Sequence, residues 1–346
     1  MSDNIRVGLI GYGYASKTFH APLIAGTPGM MLAAVSSSDA TKVHADWPSV
    51  PVVSEPKHLF NDPNIDLIVI PTPNDTHFPL AKAALEAGKH VIVDKPFTVT
   101  LSQARELDAL AKGLGRLLSV FHNRRWDSDF LTVKTLLSEG TLGEIIFFES
   151  HFDRFRPQVR HRWREQAGPG SGIWYDLAPH LLDQAVNLFG LPVSMTVDLA
   201  QLRPGAQTTD YFHAVLSYPQ RRIVLHGTMV AAAESARYII HGTRGSYVKF
   251  GLDPQEDRLK SGERLPQEDW GYDMRDGVVT RVEGEELVEE TLLTMPGNYP
   301  AYYAAIRDSL NGTGENPVPA SQAIQIMELI ELGIESAKHR ATLCLA

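Results

Sequence analysis

The stretch IRVGLIGYGYASKTFHAPLI, residues 5–24, decides the fold. Its first six residues are a short apolar run ending at Gly11, and such a run before a glycine turn reads as a strand buried in a parallel sheet. Gly11 and Gly13 take the first two places of a GxGxxG turn, with Ser16 in the third. The first glycine serves the tight turn and the second the close approach of backbone to a pyrophosphate. A helix from about Ser16 aims its free N–H groups and positive dipole end at the phosphates. Gly11, Gly13, Tyr14, Ala15 and Ser16 are therefore candidate dinucleotide contacts. A second apolar run, 31–35, follows at the distance a βαβ unit needs.

The end of that second strand bears on which dinucleotide binds. An NAD site usually places an acid there against the ribose 2′-OH, but the chain reads Val35, Ser36, Ser37, Ser38, Asp39. With Ser37 at the acid position, no carboxylate repels a 2′-phosphate, and Ser37, Ser38 and Lys42 can receive it, which favours NADP. A register two residues longer brings Asp39 to the site and favours NAD.

The alternation continues outward. A strand over 65–70 opens into PTPNDTH, where Asn74 or Asp75 caps a helix over 76–87 that Gly88 closes. The turn lies at the carboxyl end of a strand, where open α/β sheets bind ligands, so Pro71, Thr72, Asn74 and His77 join the cofactor candidates; a plain helix-start residue is the simpler account of His77. The next strand, 90–93, runs into Asp94, Lys95 and Pro96 and sets Lys95 at the carboxyl edge of the sheet. A capping box, Thr100 to Gln103, starts another helix, and 116–121 is a further strand. Five or six strands alternating with helices specify a doubly wound parallel sheet of Rossmann type.

Beyond His122 the pattern changes. A helix over 127–138 is followed by a long strand, 144–155, and by strands at 194–202, 211–218, 221–229, 237–241 and 247–250. Strands crowded without intervening helices predict a large, mainly antiparallel sheet in an α+β domain. Residues 253–276 are polar and read as an exposed excursion. The helix over 320–339 turns Ile324, Met327, Leu329, Ile330 and Ile334 inward as a core stripe. The expected division is a dinucleotide-binding domain, 1–122, and a substrate-binding and oligomerisation domain, 123–346.

In the second domain GSGIWYDLAPHLLD, 170–183, places Asp176 and His180 four apart. On one helical face the acid can orient the ring, and the ring can take a proton from a bound alcohol. The same stretch also reads as an ordinary loop and helix start, with Asp176 as a cap and His180 as a solvated residue.

Composition sets the outer limits. A formal net charge of -9 without a dense basic run lacks the electrostatic footprint of a nucleic-acid binder. The single Cys344 cannot form an intramolecular disulfide, the start lacks a signal-peptide pattern, and the apolar runs are too short to span a bilayer. A cytoplasmic protein with no membrane partner is expected. The thirteen histidines are scattered, and His151 with Asp153 shows strand alternation without the further ligands a zinc site requires, so no metal is expected.

In order and spacing, VGLIGYGYAS, PTPNDTH, VDKP and GSGIWYDLAPHLLD resemble the Gfo/Idh/MocA oxidoreductases, the family of glucose-fructose oxidoreductase and inositol dehydrogenase, over essentially the whole chain. The resemblance implies that Lys95 is the lysine of the EKP motif, with Asp94 replacing the usual glutamate, and that Asp176 and His180 are the acid and histidine of the DxxxH motif. FHNRRWDSDF, 121–130, and ESHFDRFRPQVRHRWRE, 149–165, are similar to the NADP-dependent scyllo-inositol dehydrogenases. They add Asn123 on the nicotinamide side and Arg124 and Trp163 on the substrate side, each readable also as a loop residue or a buried indole. The chemistry fits: His180, with an ordinary pKa near ~6.5, suits the base role, Asp176 stabilises its cation, and Lys95 stabilises a developing alkoxide. A relay with Lys95 as base uses the same residues. The expected protein is an NADP-preferring dehydrogenase, with NAD as the alternative, acting on a cyclic polyol or sugar held between the domains, in a homodimer or homotetramer. An NAD-dependent glycosidase using transient oxidation and a non-enzymatic dinucleotide sensor are the rival functions.

Overall fold

The computed structural model describes residues 4–265 and 267–345. Its contacts group into two compact units. One takes in the described residues of Met1–Trp126, Pro254–Trp270 and Asn298–Ile324; the other, those of Asp127–Asp253, Gly271–Gly297 and Gln325–Ala346. Compact packing is thus more interleaved than a single cut at residue 122.

The first unit holds β1 (Ile5–Ile10), β2 (Met30–Ser36), β3 (Val52–Val53), β4 (Leu67–Ile70), β5 (His90–Asp94) and β6 (Leu118–Phe121) in one sheet of order β3-β2-β1-β4-β5-β6. All its neighbours pair parallel, as expected of a doubly wound sheet. Only Arg6 in β1 escapes full burial and β4 is buried throughout, because helices such as Asn74–Glu86 and Leu101–Gly113 cover the sheet. β3, two residues long, is too short to give a periodic signal.

Local chemistry sets the helix ends. Thr100 accepts a hydrogen bond from the Gln103 amide and Gln103 Oε1 accepts one from the Thr100 amide, both at 3.3 Å, completing the expected capping box. Helix Asn74–Glu86 departs from expectation: Asn74 is already helical, and Pro73 precedes it without a side-chain cap. The fixed φ of Pro73 sets the entry instead.

Aromatic packing draws the later segments into this unit. Tyr302 meets Phe121 edge-on at 4.9 Å and its hydroxyl lies 2.9 Å from Ser119 Oγ, while the Tyr303 hydroxyl lies 2.6 Å from His20 Nδ1. Part of the stretch expected to be an exposed excursion also packs here: helix Gln255–Lys260 buries Gln255 and Leu259. The Gln255 amide donates to the Trp126 carbonyl at 3.0 Å and accepts from the Trp270 indole and the Tyr299 amide at 2.8 and 2.7 Å. A polar residue whose side chain is hydrogen-bonded at both its oxygen and its nitrogen can be buried, which composition alone does not reveal.

In the second unit β7 (Ile145–His151), β8 (Ser194–Ala200), β9 (Tyr211–Ser217), β10 (Arg222–Thr228), β11 (Ala236–Gly242), β12 (Gly245–Phe250), β13 (Gly277–Glu283), β14 (Glu286–Leu292) and β15 (Leu343–Cys344) form one sheet. Its order is β14-β13-β12-β11-β7-β10-β9-β8-β15, and among the described residues only β7 and β10 pair parallel. The mainly antiparallel expectation holds. β13 and β14 are additions, since β14 is mostly exposed and neither strand carries a regular apolar alternation. Helix Ala178–Phe189 and the later part of helix Ala320–His339 place Leu181, Leu182, Leu329 and Ile330 against Phe148, Phe212 and Leu225 of the sheet. Of the expected core stripe, Met327, Leu329 and Ile330 are buried and Ile324 and Ile334 half-buried.

Arg237 lies inside this second core. Its guanidinium donates to Asp129 Oδ2 at 2.9 Å, Ser150 Oγ at 2.8 Å, the His151 carbonyl at 2.9 Å and Gln184 Oε1 at 2.9 Å, with the Arg237 and Asp129 side chains 1% and 0% exposed. Removing one partner leaves an uncompensated buried charge. Asp129→Ala is expected to lower the unfolding free energy by about 3–5 kcal/mol, measured by urea denaturation.

Candidate active site

The carboxyl ends of β1, β2, β4, β5 and β6 carry the cofactor candidates. Gly11 turns the chain with φ +78°, a region that favours glycine, and its amide donates to the Ser36 carbonyl at 2.7 Å. At Gly13 the requirement is different: φ is ordinary, and an added Cβ would meet no protein atom within 4 Å. Packing among the described residues does not demand this glycine, which leaves its backbone open to close approach. The turn leads through a π-helical turn, Ser16–His20, into helix Ala21–Ala25, and such single-turn irregularities recur at functional sites. Ala15 precedes the π turn, and Ser16 is fully buried with a hydroxyl that has no hydrogen-bond partner among the described residues.

At the end of β2, Asp39 is occupied. Its carboxylate caps helix Ala40–Asp46 by accepting from the Lys42 amide at 3.3 Å, and it pairs with Lys42 Nζ at 3.5 Å. Ser37, half-buried, is the residue immediately past the strand, its amide bonded to the Val53 carbonyl at 2.9 Å, and Ser38 follows exposed.

Pro71 and Thr72 leave β4 beside this turn, with Thr72 Cγ2 3.4 Å from where a Cβ on Gly11 would sit. His77 is wholly buried, its Nδ1 2.9 Å from the Pro96 carbonyl and its Nε2 2.9 Å from the Thr72 carbonyl. Burial pushes this ring toward its neutral form. It ties the turn after β4 to the segment after β5, where the Lys95–Pro96 bond is cis. Asn74 is buried in the same turn. Asp94 accepts from the Lys95 amide at 2.7 Å and lies 3.7 Å from His20 Nε2. Burial alone would raise the Asp94 carboxyl, but His20, Lys95 and His77 outweigh it and hold it below its usual value. Lys95 therefore extends from a backbone anchored on both sides.

After β6, Asn123 is buried in a short 3-10 turn with Arg124. The Arg124 guanidinium donates to Glu256 Oε2 at 2.7 Å, and the Tyr14 hydroxyl to Glu256 Oε1 at 2.6 Å. Burial alone would raise Glu256, but Arg124, Tyr14 and Lys260 bring its carboxyl to about 2, while burial and Glu256 push Tyr14 up to about 12. Glu256 was not anticipated, because it lies in the stretch expected to be an exposed excursion; its one sequence signal is a place on a short helix with acidic first-turn residues.

In the second unit, the continuous helical face expected for Asp176 and His180 is broken. Helix Ile173–Asp176 ends at the acid, Leu177 forms the junction, and helix Ala178–Phe189 begins beyond it. Pro179 is the reason, since proline is tolerated only in a first turn. Asp176 does not cap that helix, whose N-cap position is Leu177. Its carboxylate pairs with Arg154 and Arg164, each at 3.5 Å. His180 is buried, not solvated, with its ring stacked on Phe152 at 6.2 Å, and Arg154 lies over the same Phe152 at 5.0 Å. Trp163 is half-buried beneath the Arg164 guanidinium at 4.5 Å. A small cavity here, of about 10 Å³ and so no larger than one water needs, is lined by Arg154, Arg164, Asp176, Thr208, Thr209 and Met229.

Arg203 orders the loop that carries these arginines. It donates to Asp210 Oδ2 at 2.9 Å and to the Arg156 carbonyl at 2.9 Å, and pairs with Glu165 at 3.2 Å. Glu165 in turn accepts from the Arg160 amide at 3.0 Å and Arg162 Nε at 2.7 Å. No sequence motif marks Arg203 or Asp210 as partners of a loop some 40 residues earlier.

Comparison with known proteins agrees with this architecture. A profile described as an oxidoreductase family, NAD-binding Rossmann fold, matches residues 5–122, and one described as an oxidoreductase family, C-terminal alpha/beta domain, matches residues 134–345. An uncharacterized oxidoreductase of Escherichia coli K12 is 89% identical over 100% of both chains. The NADP-dependent scyllo-inositol 2-dehydrogenase of Bacillus subtilis is 38% identical over 99% of this chain and 96% of its own. A solved structure from Yersinia pestis, 70% identical, covers 100% of this chain and 98% of that one with a TM-score of 0.97.

Two outcomes are expected at these positions. Gly13→Ala, with room in the protein for its methyl group, leaves the melting temperature within about 2 °C but weakens dinucleotide binding at least about tenfold by calorimetry. Because the Glu256 carboxyl falls from its ordinary 4.5 to about 2 on folding, its stabilisation is complete above pH 4.5 and disappears as pH drops toward 2. The stability gap between the native chain and Glu256→Gln, read by urea denaturation, should accordingly shrink between pH 6 and pH 3.

Proposed function

The chain belongs to the Gfo/Idh/MocA oxidoreductase family, and from this premise we propose that it is an NADP-preferring dehydrogenase of a cyclic polyol or sugar, resembling inositol. The supporting observation is that Lys95, Asp176 and His180 stand at the motif positions with their surroundings built: Lys95 on an anchored strand end, Asp176 between two guanidiniums, and His180 buried on Phe152. NADP preference is supported by Asp39, whose carboxylate is engaged as a helix cap, while Ser37 follows the strand directly.

Bound nicotinamide dinucleotide supplies the hydride acceptor. Gly11, Gly13, Tyr14, Ala15, Ser16, Ser37, Ser38, Pro71, Thr72, Asn74, His77, Asp94, Lys95 and Asn123 form the proposed cofactor side, with His77 acting through the backbone it ties and Tyr14 through Glu256. His180 takes the hydroxyl proton, Asp176 stabilises the resulting imidazolium, and the Lys95 ammonium stabilises the alkoxide as it forms. A relay ending on Lys95 would use the same groups. Arg154, Arg164, Thr208 and Thr209, around a cavity too small for a polyol itself, would offer donors and acceptors to substrate hydroxyls at its mouth, with Trp163 beside Arg164 and Arg124 held by Glu256. We further propose a homodimer or homotetramer, because the nine-stranded sheet is broad enough to take a second copy on its outer face. Among the described residues, no helix is long and apolar enough to cross a membrane.

The test offers NAD and NADP with scyllo-inositol, myo-inositol and common aldoses, following absorbance of the reduced nicotinamide. Turnover with NADP and an inositol is expected, with kcat reduced about 10²–10⁴-fold in His180→Ala and Lys95→Met. Ser37→Asp should move preference toward NAD. Absence of turnover on every alcohol, with dinucleotide still bound, would sink the proposal.

A further inference from the structure

The histidines of the second unit are less scattered in space than in sequence. Glu149 and His151 alternate onto one face of β7, and Asp153 follows two residues later. β10 runs parallel to β7 with His226 in register with His151. The pairing continues past β7, as the Phe152 amide donates to the His226 carbonyl and the Arg154 amide to the Thr228 carbonyl, each at 2.9 Å. Strand pairing thus supplies the further ligand whose absence in the linear sequence argued against a metal.

The side chains converge on one carboxylate. His226 Nδ1 lies 2.8 Å from Asp153 Oδ1, and His151 Nδ1 lies 3.0 Å from Asp153 Oδ2. One ligand atom from each of the three residues falls within 4.8 Å of the others. The other ring nitrogen of His151, Nε2, faces Glu149 Oε1 at 2.8 Å. Metal-binding histidines characteristically hand their second N–H to a carboxylate in this way, which fixes the tautomer and strengthens the donor. The Thr228 amide reaches Asp153 Oδ1 at 3.2 Å and steadies the acid from the backbone. The side chains of His151, Asp153 and His226 are 18%, 8% and 17% exposed, shielded yet reachable from solvent.

We propose that His151, Asp153 and His226 bind one divalent transition metal ion, zinc in the first instance, with Glu149 orienting His151. Two imidazole nitrogens and a carboxylate oxygen are a zinc-type donor set, and three protein ligands leave a fourth position for water. Tetrahedral coordination with bonds of about 2.0–2.1 Å separates ligand atoms by about 3.3 Å. The contacts of 2.8 and 3.0 Å fall on different oxygens of Asp153, and the three ligand atoms lie within 4.8 Å of one another, so side-chain rotation on a fixed backbone brings them to that spacing. The ion would cross-link β7 to β10 at the one parallel pairing of the sheet among the described residues. His213, opposite His226 on β9 with ring centroids 5.9 Å apart, lies outside the ligand set.

The test strips the full chain with a chelator, then titrates Zn²⁺ by calorimetry and Co²⁺ by visible absorption. One ion per chain is expected, with the visible bands of nitrogen- and oxygen-coordinated cobalt. His226→Ala should weaken binding at least about 100-fold and Glu149→Gln about 10–100-fold, while His213→Ala leaves it unchanged. Should His226→Ala fail to fold, Glu149→Gln, which keeps the shape of the side chain, carries the test. No stoichiometric uptake by the native chain, unchanged affinity in a folded His226→Ala, or unchanged affinity in Glu149→Gln where that variant carries the test, overturns the assignment. None of these readouts depends on turnover, so they stand apart from the dehydrogenase proposal.

Discussion

Strand order reverses between β1 and β4, and the rest of the first unit depends on that reversal. β1 connects outward to β2 on one side and β4 continues outward to β5 on the other, so neither connection roofs the carboxyl ends of the central pair. Gly11, Thr72 and Lys95 come together there because the ladder sets Leu9 beside Val69 and Val69 beside Ile92. The turns that follow inherit the alignment of the strands. His77 then ties two of those turns together, so a ring without exposed surface shapes the backbone around Lys95.

Buried polar groups perform the corresponding work in the second unit. Arg237 reaches Asp129, Ser150, Gln184 and a backbone carbonyl, and Lys249 pairs with Asp273 at 2.8 Å in a site almost without exposure. Charges in such places cost about as much to desolvate as their partners return, so the pairs add little net stability while loss of one partner is costly. Arg203 shows the same logic near the cavity beside Asp176. Bonded to Asp210, Glu165 and the Arg156 carbonyl, it holds an arginine-rich loop that mutual repulsion would otherwise spread. Burial and the neighbouring guanidiniums of Arg154, Arg162 and Arg160 push the Arg156 pKa down, a measure of that crowding.

Much of the architecture was legible because it rests on short-range signals. The apolar run before Gly11, the Thr100 capping box and the stripe of helix Ala320–His339 each depend on residues within a few positions. β13 and β14 escaped because an exposed hairpin needs no apolar alternation. Helix Gln255–Lys260 escaped because it is short and, besides Leu259, buries a polar Gln255 held by Trp126, Trp270 and Tyr299, none of which local composition can nominate. The candidate site divides in the same way. Lys95, Asp176 and His180 stand in motifs and could be named, whereas Glu256, Arg203 and His226 are joined to their partners only by long-range contacts.

The sequence by itself determined the class of each unit, the glycine turn and the residues of the motifs, since periodicity, turn chemistry and spacing act over one or two turns of chain. Tertiary structure alone decided which charges pair, where Pro179 breaks the helix that carries Asp176, that Asp39 serves as a cap, and that His151, Asp153 and His226 share one point in space. The physical reason is that hydrogen bonds and ion pairs depend on distances of a few ångströms between side chains. Those distances follow from strand register and packing across the sheet, not from the order of residues along the chain.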